Sequence, residues 1–274
     1  MSELRPEPAN GLEWFGREVE EALRHKGALQ RDLAEATGYK EPYVSKVKNG
    51  QALASPQFAD GCDRFFNTSG YFARLLIRVS QHGHPEWFIP YLELEEKAAE
   101  LRDFSAYLVI GLMQTPSYAE ALFRAAHPRD STDTVKQKVA ARLARRSTLE
   151  RPDAPLLWIV LDESCLRREV GGRAVMREQL EHLHAAAQTP DVTIQVLPFS
   201  SGAPAAAEAF TLLSFDDKDS APVLYSEAQG IGRVIDSASV VGTGTHRFAR
   251  LCADALSPEK SLGALRAAMK EYDG

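Results

Sequence analysis

The stretch Leu29–Gly50, LQRDLAEATGYKEPYVSKVKNG, decides how the chain is read. Gln30 to Thr37 sets Leu33, Ala34 and Ala36 among polar neighbours at helical spacing, and Gly38 stops the segment. A glycine there permits the positive φ that a sharp change of direction needs. A further helix starts near Glu41, where Pro42 fits the first turn because its missing N–H costs nothing. Val44 and Val47, three residues apart, would face a core. At about 100° per residue, the opposite face shows Pro42, Ser45, Lys46 and Asn49. Such a face suits DNA: Lys46 can contact guanine or phosphate, Asn49 can bond phosphate or adenine, and Lys40 and Lys48 can neutralise flanking phosphates.

Upstream, Leu12, Phe15, Val19, Ala22 and Leu23 recur at helical spacing up to Lys26-Gly27. Downstream, Asn49-Gly50 turns the chain. Ser55-Pro56 then opens a helix with Phe58, Cys62, Phe65 and Phe66 inward. Helix–glycine turn–helix is also compatible with an ordinary four- or five-helix bundle. Residues 11–68 hold eight Lys/Arg against nine Asp/Glu, so the segment is not basic overall, unlike many DNA binders. Its positive charges gather on the third helix and its ends.

Residues 12–68 resemble the lambda-repressor-like, or XRE-type, helix-turn-helix. The resemblance rests on Gln30, Leu33-Ala34, Gly38, Tyr43-Val44-Ser45, Val47 and Asn49-Gly50. It implies that Gln30 braces the second helix on phosphate, that the opening residues of the third helix touch bases, and that Asn49 holds the backbone. The DNA-binding set is therefore Gln30, Lys40, Glu41, Pro42, Tyr43, Ser45, Lys46, Lys48 and Asn49. Glu41 and Pro42 depart from the family pattern, which favours Gln, Ser or Thr there. Glu41 repels phosphate unless it accepts from a cytosine amine or pairs with Lys40 or Lys46.

The 274 residues leave room for two domains, and the net charge of −6 confines DNA contact to the head and makes it sensitive to salt. Cys62, Cys165 and Cys252 are widely spaced, without CxxC pairs, as in a reduced cytosol. The opening MSELRPEPANG lacks the apolar core of a signal peptide, and no apolar run approaches the ~20 residues of a membrane span. A cytoplasmic protein is expected.

The body reads as helical from Tyr71 to Arg151. Phe72, Leu75, Leu76 and Val79 form one stripe. Leu94, Ala98 and Leu101 form another, on a helix over 92–104. Ser117-Tyr118-Ala119-Glu120 opens a further helix. A long one follows over about 132–149, with Arg142, Arg145 and Arg146 on its outer face. After Pro152–Pro155 the character changes. Strands are expected at 156–161, 192–196, 209–215, 223–227 and 232–235, with helices at 173–187, 237–256 and 261–272. The fold class is therefore α+β, or mixed: an all-α head (1–80), a helical connector (81–151) and a mixed α/β sheet domain (152–274).

Residues 82–272 are similar to the large uncharacterised C-terminal domain that follows XRE heads in many actinobacterial regulators. The segments that carry this are 109–122 (VIGLMQTPSYAEAL), 160–172 (VLDESCLRREVGG), 177–183 (REQLEHL), 192–203 (VTIQVLPFSSGA), 208–215 (EAFTLLSF) and 223–230 (VLYSEAQG). The resemblance implies an antitoxin-like transcriptional regulator, often encoded beside a small partner protein. It supplies no known ligand.

The body offers carboxylates as candidate catalytic groups. Asp162 and Glu163 follow a strand and Glu227 ends another, but no two carboxylates have a diagnostic spacing. Glu163 and Glu227 can equally cap helices or pair with Arg167, Arg168 or Arg233. His82-x-His84 sits in a turn, and His182 and His184 are placed on the polar side of a helix. Gly230-x-Gly232 and Gly242-x-Gly244 lack a following GK[ST] and read as turns. Ser200–Ala203, at the end of a strand, can admit a ligand. No catalytic residue, cofactor or metal is assigned. The expected function is a homodimeric operator-binding regulator of double-stranded DNA. Its body would dimerise and sense a small ligand or bind the small partner protein. The alternative is a DNA-targeted, metal-dependent hydrolase or nuclease using the body's carboxylates.

Overall fold

The computed structural model describes residues 11–50, 52, 54–81, 85–151, 153–217, 220–228 and 230–273. The histidine pair 82/84 lies outside them. The chain divides into two compact units. One holds residues up to Glu86 together with Lys136–Ala144, and the other holds Trp87–Val135 and Arg145–Gly274.

The helices are, in chain order, α1 (Gly11–Lys26), α2 (Gln30–Thr37), α3 (Glu41–Lys48), α4 (Pro56–Phe66), α5 (Tyr71–Gln81), α6 (Ile89–Lys97), α7 (Pro116–Ala126), α8 (Thr132–Ala144), α9 (Ser147–Glu150), α10 (Ser164–Arg167), α11 (Arg173–Ala186), α12 (Ala238–Asp254) and α13 (Pro258–Glu271). The strands are β1 (Glu100–Ser105), β2 (Leu156–Asp162), β3 (Val192–Leu197), β4 (Phe210–Ser214), β5 (Val223–Ala228) and β6 (Ile231–Ile235).

In the first unit the apolar stripes meet in one core: Phe15, Val19 and Leu23 of α1, Leu33 of α2, Val44 and Val47 of α3, Phe58 and Cys62 of α4, and Phe72, Leu75 and Val79 of α5. Each helix ends for a local reason. Gly38 closes α2 in the left-handed region at φ 75°. Asn67 does the same for α4 at φ 56°, a conformation that asparagine tolerates better than most residues. Asp63, buried near the end of α4, accepts the Phe72 and Ala73 N–H groups at 3.0 and 2.9 Å and so satisfies orphan donors at the start of α5.

The second unit is a six-stranded mixed sheet in the order β3-β2-β1-β4-β5-β6. β1, β2 and β3 run parallel, and β4, β5 and β6 continue the sheet antiparallel. Strand side chains alternate between two cores. Leu157, Ile159 and Leu161 face a core shared with Met176, Leu180 and Leu183 of α11 and Leu265 of α13. Val160, Phe104, Leu212 and Leu224 face the opposite core with Val241, Phe248 and Leu251 of α12.

Three sequence expectations need correction. The helix expected over 92–104 ends at Lys97, and Glu100–Ser105 is β1, the strand that joins the parallel and antiparallel halves of the sheet. Its charges hid it, because each is satisfied in place. Arg102 donates twice to Glu100, both at 2.8 Å, and Asp103 accepts from the Ser105 and Thr211 hydroxyls at 2.5 and 2.8 Å.

The helix expected over 132–149 breaks after Ala144, and Arg145 turns inward. It grips Glu95 with two bonds of 2.8 and 2.6 Å, and the two side chains are only 9% and 2% exposed. Arg146 bonds the Gln114 carbonyl, and Arg142 is half-buried. Finally, Gly242 and Gly244 lie inside α12, and Gly232 lies in β6 against Trp87; of these glycine pairs only Gly230 has the positive φ of a turn.

Candidate nucleic-acid interface

The α2–α3 pair is held as one piece. The Gln30 side-chain amide donates to the Glu41 carbonyl at 3.0 Å, tying the start of α2 to the first turn of α3. Asp32 accepts from the Leu29 N–H at 2.8 Å and secures the start of α2. At the other end of α3, Gly16 of α1 lies directly against the Val47 and Lys48 carbonyls.

This packing fixes which side of α3 faces outward. Val44 and Val47 are buried, while Lys40, Glu41, Pro42, Lys46 and Asn49 are exposed, and Ser45 and Lys48 lie half-buried beside them. Asn49 Nδ2 donates to the Ser45 hydroxyl at 3.3 Å, so these two side chains share one edge. The exposed surface of α3 and its N-cap thus carries two unshielded ammonium groups, an amide and one carboxylate.

Tyr43 is positioned differently from the rest of the expected contact set. Its ring stacks on Tyr39 with centroids 4.5 Å apart and meets Phe58 edge-on at 5.4 Å. Its hydroxyl accepts the Ser55 N–H at 2.8 Å. Ser55 also bonds the Tyr39 hydroxyl at 2.6 Å and caps α4 by accepting the Phe58 N–H at 3.0 Å. Burial raises the Tyr43 phenol above its ordinary range, and its bonds with Ser55 offset part of that rise. Tyr43 therefore braces the turn and the start of α4. The sequence marked Ser55 as a helix start, but nothing local in it pointed to Tyr39 and Tyr43 as its partners.

The body's carboxylates have internal work. Asp162 accepts the Ser164 N–H at 2.9 Å. Glu163 pairs with Arg167 at 3.1 Å and accepts the Phe199 N–H at 2.9 Å, clamping the ends of β2 and β3 together. Glu227 accepts the Tyr225 hydroxyl at 2.5 Å. His182 is half-buried rather than solvated, and burial, helped by the Arg146 charge, lowers its pKa. Among the described residues no three His, Cys, Asp or Glu side chains group as metal ligands, and no helix is long and apolar enough to cross a membrane. The segment 200–203 overlaps a short 3-10 turn, Phe199–Ser201, anchored by the Ser201 hydroxyl on the Asp254 carbonyl at 2.7 Å.

These observations define a mixed α/β protein with a small all-helical unit and a larger unit built on one mixed sheet. The chain belongs to the family of the domain of unknown function DUF5753, whose model matches residues 88–267 and takes in all six strands. No curated protein and no solved structure matches the chain.

Proposed function

We propose that this protein is a cytoplasmic, sequence-specific transcriptional regulator of the XRE, antitoxin-like kind, which binds operator DNA as a homodimer through α3. The observation that carries this reading is the outward face of α3. Lys46 and Asn49 stand exposed opposite the buried Val44 and Val47, and Gln30 ties the start of α2 to that helix. A helix held this way can enter a major groove with its polar edge toward bases and phosphates. One helix reads too few bases for operator specificity, so two copies are required. The DUF5753 unit would supply dimerisation and respond to a small ligand or to a small partner protein.

The test is a mobility-shift titration of the full chain against DNA upstream of its own coding sequence. Lys46→Ala with Asn49→Ala should weaken binding at least about tenfold, the loss expected for two polar contacts. Unchanged affinity would remove α3 from the account.

A further inference from the structure

The core between the sheet and α12 is incomplete. A cavity of about 600 Å³ opens beside the N-terminal half of α12, over β5 and the end of β6, and is closed on one side by residues 205–209. Its origin is visible in the residue types. The segment 203–209, APAAAEA, has neither helix nor strand, and four of its alanines line the cavity. On the facing side α12 presents Thr243, where a larger residue would close the gap, and the neighbouring Gly244. Gly244 is needed for another reason: a Cβ there would collide with Leu224, so α12 touches the sheet at that point. Around Thr243 and the four alanines, neither wall carries a side chain large enough to fill the space.

The lining is ordered by chemistry. Phe210, Leu224 and Ile235 form an apolar floor. Along α12, Ser239, Thr243 and Arg247 recur every four residues and form one polar stripe. The eight steps from Ser239 to Arg247 span about 12 Å at a rise of 1.5 Å per residue. Among the described residues, Arg247 has no carboxylate partner, although it stands at the cavity rim. The volume is that of a typical small-molecule site, which is mostly apolar with a few convergent polar groups.

We infer that this cavity binds a small amphiphilic anion, its apolar body on the Phe210–Leu224–Ile235 floor and its carboxylate or equivalent head on Arg247. The guanidinium fork suits a planar carboxylate. Glu208, also in the lining, sets the opposite preference at its own position and disfavours a second negative group on the ligand. As the input of a regulator, this site rests on the function proposed above; as a binding site it does not.

The test uses the full chain without DNA, so its failure leaves the operator assay untouched and a failed operator assay leaves this one untouched. Decanoate, whose extended length matches the polar stripe, is titrated by calorimetry alongside decanol and decylamine. Decanoate should bind more tightly than either. Arg247→Ala, at an exposed helix position, should weaken decanoate at least about tenfold while leaving decanol unchanged. Glu208→Gln should strengthen it, and Thr243→Trp, which fills the cavity, should abolish binding of all three. The inference is overturned by decylamine or decanol binding as tightly as decanoate, by Arg247→Ala without effect, or by Thr243→Trp binding normally with an unchanged melting curve.

Discussion

Gly16 of α1 faces the carbonyl oxygens of Val47 and Lys48, so closely that a methyl group on it would stand 2.7 Å from the Val47 oxygen. The base of the proposed DNA-reading helix therefore rests on bare backbone. Gly16→Ala must push α1 and α3 apart. Over-packing of this kind costs typically about 1–3 kcal/mol. The expected outcome is a lower melting temperature together with a loss of the proposed operator binding, although no exposed side chain of α3 has changed. A variant that melts and binds like the parent would show that the crossing can relax.

Tyr43 supplies a second check on how α3 is held. Tyr43→Phe keeps the stacking on Tyr39 and Phe58 but leaves the Ser55 N–H without its acceptor. An unsatisfied, part-buried donor costs about 1–3 kcal/mol. Denaturant unfolding should show that loss. Tyr43→Ala, which also removes the ring, should cost more. Equal stability of the parent and the phenylalanine variant would mean that water replaces the hydroxyl.

Local sequence fixed much of the first unit and less of the second. The bounds of α2 and α3 follow from signals within a few residues: Gly38 as a left-handed cap, Pro42 in a first turn, and valines at helical spacing. β1 has no such signals. ELRDFS carries three charges in six residues, and only its neighbours make it a strand: Glu100 and Arg102 satisfy each other, and Thr211 of β4 reaches Asp103. The Arg145–Glu95 pair is equally silent, because 50 residues separate its members. The exposed edge of α3 was readable because helical geometry alone places Lys46 and Asn49 opposite Val44 and Val47. The α12 cavity was not readable, since alanines and glycines look the same whether they allow close packing or leave space.

The Arg145–Glu95 pair makes its own prediction. Arg145 also lies over the Phe88 and Tyr91 rings, at 5.0 and 5.7 Å, and its guanidinium stays firmly charged because Glu95 outweighs the effect of burial. Glu95→Gln leaves that buried charge uncompensated, which typically costs about 3–5 kcal/mol. Removing both charges, as Glu95→Leu with Arg145→Met, should recover most of the loss, because buried pairs contribute little beyond an apolar replacement. A double variant as unstable as the single one would show that Arg145 holds more than Glu95.

The charges on α3 predict how binding depends on salt. Lys46 is exposed, and each phosphate neutralised by a lysine adds about 0.9 to the slope of log affinity against log salt. Lys46→Ala should flatten that slope by about one. Glu41→Gln should raise affinity at low salt, since it removes a negative charge from the exposed face of α3. If Glu41 instead accepts from a cytosine amine, Glu41→Gln lowers affinity at one base position only. A panel of single-base operator variants separates these outcomes.

Asp103 predicts a pH dependence of stability with an unusual sign. The carboxyl is fully buried on β1, and burial raises its pKa from 3.8 to about 6. Ser105, Thr211 and the Arg145 charge pull it back down, while Glu95 adds to the rise. The folded chain therefore holds a proton between about pH 4 and pH 6 that the unfolded chain has released. Stability from this group is fully present below pH 4 and lost as pH rises through 6. A gap of about two pH units corresponds to about 3 kcal/mol at neutral pH. Asp103→Asn removes the titration and keeps groups able to bond Ser105 and Thr211. Its stability relative to the parent should rise by about 2 kcal/mol between pH 4.5 and 7.5, followed by urea unfolding at each pH, the first third of the loss falling below pH 4.5. A constant difference across that range would mean that Asp103 titrates no differently in the folded and unfolded chain.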